Sequence, residues 1–199
     1  MQAVVHELLP LVPFSRRDKA LRYKHLFGQY TCLRSWQLLH ELLTEHAYLP
    51  AGFPLADLTY TEDAYGKPWL SISGQQSAVS SQQAAAICFS LSHTKNAIAV
   101  AIDRQPVGID VETLVSADRI ADPHFLSRTM SAQEQQLIRA AANPCLQFTE
   151  LWTRKEALVK AIGTGINLDT LPDLLAAVSP YTLRSGHAEN YAYTVAWKQ

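Results

Sequence analysis

Asp110 and Glu112 stand two residues apart in GIDVE (residues 108–112), and Glu156 and Lys160 stand four apart in WTRKEALVK (residues 152–160). On a strand, period-2 geometry puts both acids of the first pair on one face, with Ile109 and Val111 on the other. On a helix, Glu156 and Lys160 share a face one turn apart. Three carboxylates and an ammonium on two regular elements can hold a hard cation such as Mg²⁺ together with a phosphate ester. The bland reading competes at each place. Two acids on a strand are commonly a solvated face, and an i,i+4 Glu–Lys pair is commonly a surface pair of about 0.3–0.5 kcal/mol. Trp152 on the Glu156 face, with Gly163 and Gly165 just beyond, makes the helix end read as a site wall.

Other residues are weaker alone. Ser92 and His93 close the run SLSH, where a hydroxyl and an imidazole can both bond a phosphate. Lys67 lies between Gly66 and Pro68, in a turn permissive on one side and rigid on the other, suited to presenting a cation to a nucleotide. Arg16, Arg17, Lys19, Arg22 and Lys24 make one segment basic. Such a run is usually a solvated helix face, but it suits the phosphates of a small anionic ligand.

These residues need elements to hold them. Residues 3–12 read as an edge strand ended by Pro10 and Pro13. Ser15 opens a helix that runs to about His46. A short strand at residues 58–61 and a turn at residues 65–68 follow, and the polar stretch 73–86 reads as a surface loop. Residues 97–103 and 107–112 read as two strands of a hairpin turning at residues 104–106. Ser131 with Glu134 signs a capping box before a helix. Residues 148–162 read as a strong helix ended at Gly163, and residues 191–197 as a closing strand.

The 199 residues are enough for one large domain or two small ones, with 48% hydrophobic and 18% charged residues. The net charge of -1 gives no global pull toward nucleic acid or an anionic membrane. Cys32, Cys88 and Cys145 are too widely spaced for a disulfide framework or a thiolate zinc site, and read as buried thiols of a reducing cytoplasm. No apolar run approaches a membrane span, and the first residues do not read as a signal peptide.

Taken in order, YGKP (residues 65–68), FSLSH (89–93), QPVGIDVE (105–112) and WTRKEALVKAIGTGI (152–166) resemble the 4′-phosphopantetheinyl transferase superfamily, in particular its larger kind that activates peptide and polyketide synthetases. The resemblance implies an α+β fold of two pseudo-symmetric lobes, residues 1–104 and 105–199, with coenzyme A in the cleft between them. It implies a cytoplasmic monomer that transfers the 4′-phosphopantetheine arm of coenzyme A to a serine of an acyl or peptidyl carrier protein. It implies Mg²⁺, with Mn²⁺ as an alternative, held by Asp110, Glu112 and Glu156. Glu156, or a water held by it and Glu112, would take the serine proton, and Lys160 would stabilise the leaving adenosine 3′,5′-bisphosphate. Asp110 is expected at the catalytic centre. Arg16, Arg17, Arg22, Gly66, Lys67, Ser92, His93, Asp110, Lys155 and Lys160 are the expected coenzyme A contacts, the three arginines by charge and position alone. Two rival readings are a coenzyme A-binding module without transfer activity, which would not need the acids, and a nucleotide hydrolase, for which no Walker-type GxxxxGK[ST] loop is present.

Overall fold

The computed structural model describes residues 1–62, 67–70 and 87–199; the expected turn at Tyr65 and Gly66 and the expected loop at 73–86 lie outside the described residues. Three helices come first: α1 (Gln2–Leu8), α2 (Phe14–Leu21) and α3 (Leu26–Glu45). Strands β1 (Thr61–Glu62), β2 (Pro68–Leu70), β3 (Ile87–His93) and β4 (Ile98–Asp103) form one antiparallel sheet in that order. Strand β5 (Val107–Thr113), the helices α4 (Ala117–Ala121), α5 (Pro123–Thr129), α6 (Ala132–Ala140) and α7 (Pro144–Ile162), and strands β6 (Tyr181–His187) and β7 (Tyr191–Lys198) complete the chain. The second sheet has the antiparallel order β5-β7-β6. The fold is α+β, as the motifs imply.

Three expectations are corrected. The apolar segment after Met1 is a helix, not an edge strand. Val5 and Leu8, three apart, lie on one face of α1 and bury against the core beside α3. The single helix expected over residues 15–46 is broken into α2 and α3. Along one continuous helix Arg16 and Cys32 would stand roughly 24 Å apart. The chain instead folds back, and the Arg16 guanidinium donates to the Cys32 carbonyl from Nε at 3.0 Å and Nη2 at 2.7 Å, and from Nη2 to Ser35 Oγ at 2.8 Å.

The third correction concerns the expected β4–β5 hairpin. Both strands exist, but they belong to different sheets: β4 pairs with β3, and β5 pairs along its length with β7, from Val107 opposite Trp197 to Thr113 opposite Tyr191. The β5 edge that would meet a hairpin partner is met by hydroxyls. Ser90 Oγ accepts from the Ile109 N–H at 3.0 Å and Ser92 Oγ from the Val111 N–H at 3.2 Å. Alternate residues of a strand share an edge, so two serines two apart on β3 satisfy two donors two apart on β5. The two sheets are therefore stitched by side chains where a backbone ladder was expected.

Helix α7 packs across β5 and β7. Gly108 makes that contact possible: a Cβ there would lie 2.1 Å from the Ala157 carbonyl oxygen and 2.5 Å from the Ala161 nitrogen. Farther along β7, Thr153 Oγ1 of α7 lies 2.9 Å from Thr194 Oγ1. The helix begins at an Asn143 cap and ends at Gly163, whose φ of 87° is the left-handed conformation glycine adopts freely. In the first half, the fully buried Trp36 of α3 packs edge-on against Phe89 with centroids 5.9 Å apart, and the Arg16 guanidinium sits over its ring at 5.0 Å.

Candidate active site

A cavity of about 320 Å³ opens where the two halves of the chain meet. The first half lines it with Arg16, Lys19, Trp36, Tyr60, Glu62, Lys67, Phe89 and Ser90; the second half lines it with Val159, Lys160, Gly163 and Gly165. Four of these side chains are cationic, an electropositive lining suited to a polyanion. The Lys67 ammonium donates to the Ala161 carbonyl, so it ties the β2 segment to the last turn of α7 while lining the cavity. A side chain at Gly163 would run into the Lys67 stem, with Cδ 2.9 Å from the Cβ position.

At the Lys160 wall lies a tight polar knot. Asp110 is buried on β5, and its Oδ1 accepts from Lys160 Nζ at 2.7 Å and from Ser92 Oγ at 2.9 Å. Lys160 Nζ also donates to the Ile109 carbonyl at 3.2 Å and to Ser92 Oγ at 3.2 Å. Three elements thus converge: β3 through Ser92, β5 through Asp110, and α7 through Lys160. The other carboxylate oxygen, Asp110 Oδ2, is buried and has no hydrogen-bond partner among the described residues. An orphaned buried carboxylate oxygen is costly and calls for a cation or donor.

The two glutamates complete an acidic neighbourhood. Burial, then the Asp110 charge, raises the Glu112 carboxyl; Lys160 and a hydrogen bond from the Trp152 side chain oppose the rise. Glu156 is pushed up to about 7, first by burial and then by Asp110, with Lys160 opposing and Glu112 adding to the rise. Mutual repulsion among carboxylates is relieved by a proton or by a bound cation. The all-oxygen donor set and the orphaned Oδ2 fit a hard divalent cation such as Mg²⁺. As the side chains lie, no three or more acidic, histidine or cysteine groups among the described residues are gathered at metal-binding spacing. One oxygen of Asp110 is already occupied by Lys160 and Ser92.

His93, at the end of β3, has its imidazole pKa lowered by desolvation and then by the Lys160 and Arg16 charges. Its environment is cationic, which favours an anion beside it. On the other side of the acids, Glu112 lines a second cavity of about 400 Å³ walled by Val115, Phe125, Phe148 and Trp152. The acidic knot therefore stands between a cation-lined space and an aromatic one.

The expected residues divide. Arg16, Lys67 and Lys160 reach the cavity, while Ser92 and Asp110 meet Lys160 at its wall; Gly66 lies outside the described residues. Three of the expected contacts are engaged elsewhere. Lys155 does not face the cavity: it is fully buried, and its Nζ donates to the Thr129 carbonyl at 2.8 Å, Glu134 Oε2 at 2.6 Å and the Pro172 carbonyl at 2.9 Å. An ammonium has three N–H donors, and all three are used inside the protein. Arg17 donates to the Leu9 carbonyl at 2.8 Å and the Pro10 carbonyl at 3.3 Å, fastening α2 to the preceding turn. Arg22 makes an exposed ion pair with Asp18, one helical turn before it. Lys19, in the basic segment but not among the expected coenzyme A contacts, also lines the cavity. It lies three residues after Arg16, a spacing that puts both on one face of α2.

The chain has relatives. Residues 106–198 match the family model described as the 4′-phosphopantetheinyl transferase superfamily. A 4′-phosphopantetheinyl transferase of Bacillus pumilus is 28% identical over 165 residues, covering 82% of this chain and 63% of that protein. One from Aneurinibacillus migulanus is also 28% identical, over 156 residues, covering 76% of this chain and 56% of that protein. An L-aminoadipate-semialdehyde dehydrogenase-phosphopantetheinyl transferase of Saccharomyces cerevisiae is 34% identical over 65 residues, covering 33% of this chain and 24% of that protein. Over residues 106–198 the chain is thus similar to the 4′-phosphopantetheinyl transferase superfamily, and over most of its length to bacterial proteins named as such transferases. It spans less than two thirds of the length of the two bacterial relatives named above. Among the described residues, no helix is long and apolar enough to cross a membrane.

Proposed function

We propose that this chain transfers the 4′-phosphopantetheine arm of coenzyme A to a serine hydroxyl of an acyl or peptidyl carrier protein, as a monomer in the cytoplasm. The observation that supports this reading best is the Lys160–Asp110–Ser92 knot at the wall of the cation-lined cavity, with Asp110 Oδ2 left without a partner. In this reading residues 1–104 and 105–199 form two lobes that share the cavity. Arg16, Lys19 and Lys67 hold the nucleotide phosphates of coenzyme A, and His93 and Ser92 bind beside the diphosphate.

Asp110, Glu112 and Glu156 would hold Mg²⁺, which supplies charge neutralisation of the diphosphate when bound. The serine oxygen forms a bond to the phosphorus carrying the pantetheine arm, and the anhydride P–O bond breaks. The electron pair leaves with adenosine 3′,5′-bisphosphate. Glu156 takes the serine proton, directly or through a water between it and Glu112; a carboxylate bound to a metal is a poor base, and the water route spares Glu156 that role. Lys160, fixed by Asp110 Oδ1 and the Ile109 carbonyl, offers its charge to the departing phosphate.

The reaction is tested by following adenosine 3′,5′-bisphosphate chromatographically when the protein is incubated with coenzyme A, Mg²⁺ and an apo carrier protein. The expected result is release stoichiometric with carrier. Release that is equal with a carrier whose acceptor serine is replaced by alanine would mean hydrolysis, and would overturn the transfer reading.

A further inference from the structure

We propose that Glu134 is a positioning residue for Glu156 and Lys160, acting through the buried ammonium of Lys155; the inference rests on the transfer reading for its catalytic meaning. Glu134 lies on α6, outside every motif that carries the family resemblance. Its Oε2 accepts from the Ser131 backbone N–H at 2.8 Å, closing the capping box, and also from Lys155 Nζ at 2.6 Å. One carboxylate oxygen therefore fixes both the start of α6 and the middle of α7.

The remaining two Lys155 donors reach the Thr129 carbonyl at the end of α5 and the Pro172 carbonyl. Pro172 stands in the short 3₁₀ segment Leu171–Ala177, just past the loop at residues 163–170. That loop begins with Gly163 and contains Gly165, both of which line the cavity. Lys155 thus anchors α5, α6 and the far end of a cavity-wall loop to one point on α7.

The opposite side of α7 is equally constrained, by the Gly108 contact with Ala157 and Ala161 and by the Thr153–Thr194 bond. Glu156 follows Lys155 directly, and Lys160 follows a little over one turn later. Fixing Lys155 fixes the rotation and axial position of both. The pair is buried, with side-chain exposures of 0% for Lys155 and 9% for Glu134. The Glu134 carboxylate lies 2.6 Å from the Lys155 ammonium, so the buried lysine faces an opposite charge while its other donors hold the two carbonyls. An apolar pair could fill this space, but it could not hold two carbonyls from separate segments at hydrogen-bond distance.

The test compares wild type with Glu134→Gln, which keeps an acceptor oxygen for the Ser131 cap and removes the charge facing Lys155. Folding is checked by circular dichroism and denaturant midpoint, and transfer to an apo carrier is measured at steady state. A misplacement of about 1 Å costs on the order of 100-fold in rate, so kcat is expected to fall by about 10-fold or more while KM for coenzyme A stays within about twofold. Glu134→Asp, which keeps the charge, is expected to recover part of kcat. A wild-type kcat in folded Glu134→Gln, whatever its midpoint, overturns the positioning role, as does a change confined to KM. If Glu134→Gln does not fold, the double variant Glu134→Gln/Lys155→Met removes both charges together. A low kcat in the folded double supports the proposal, and a wild-type kcat overturns it. If wild type transfers nothing to any carrier, the transfer reading has failed, and the clamp is read separately by amide hydrogen exchange. Faster exchange at residues 156–162 in Glu134→Gln supports the clamp, and unchanged protection overturns it.

Discussion

Replacing Gly108 with alanine adds a single methyl group and should nevertheless damage both stability and activity. The added Cβ would lie 2.1 Å from the Ala157 carbonyl oxygen and 2.5 Å from the Ala161 nitrogen, where real Cβ contacts essentially never fall under 3.0 Å. Relief on the first contact alone needs a retreat of at least 0.9 Å by the backbone of α7 or β5. Neither yields as a flexible side chain does, because α7 is also held by Thr153 and Lys155, and β5 is laddered to β7. Overpacking of this kind costs about 1–3 kcal/mol, and the backbone-to-backbone contact places this case at the upper end. The retreat also draws Lys160 away from Asp110, now 2.7 Å from it. A displacement near 1 Å at a reacting group costs on the order of 100-fold in rate. Urea unfolding and carrier-protein modification, measured on the same preparation, should show both losses. A Gly108→Ala protein within about 0.5 kcal/mol of wild type and fully active would refute the claim that this close approach positions the helix.

Other perturbations have distinct signatures. Ser92→Ala removes a donor to Asp110 Oδ1 and the acceptor for the Val111 N–H, and should destabilise by about 1–3 kcal/mol, read as a lower denaturation midpoint at unchanged slope. His93 titrates below 6.5 in the folded chain. The unfolded chain therefore binds its proton first on acidification, and this contribution to stability falls as pH drops through 6.5 toward the folded value. Stability measured at about pH 7.5 and 5.5 should fall more for wild type than for His93→Gln, and a coenzyme A polyanion should raise the His93 titration midpoint seen by NMR. Glu156→Ala should abolish transfer while coenzyme A binding, followed by calorimetry, persists; full activity in that variant would sink the site assignment.

Much of the second half was legible in the sequence because its signals are local. The Ser131–Glu134 capping box, the α7 periodicity with Gly163 at its end, and the alternation of residues 191–197 each report on their own neighbours. What could not be read depends on distant partners. The strand pattern of residues 97–103 and 107–112 is correct, but alternation does not say which strand pairs with which, and a short turn made a hairpin the natural choice. Two serine hydroxyls on β3 decided otherwise. Residues 3–12 are apolar enough for either strand or helix, and the packing of Val5 and Leu8 near α3 selects helix. Lys155 is an expected phosphate contact through the family resemblance alone. Consecutive helical residues point about 100° apart, and that angle separates a side chain facing the acids from one sealed beneath α5 and α6. Asp110, Glu156 and Lys160 were legible as a group because strand and helix periodicities place them on facing surfaces, and the structure brings Lys160 to Asp110.

The most direct measurement is intact-mass spectrometry of a panel of apo carrier proteins after incubation with this protein, coenzyme A and Mg²⁺, with a parallel sample in EDTA. The expected result is a gain of one phosphopantetheine arm on at least one carrier, lost in EDTA, as a three-carboxylate metal site requires. Unmodified carriers throughout, with coenzyme A bound to the protein, would contradict transfer and leave a coenzyme A-binding module.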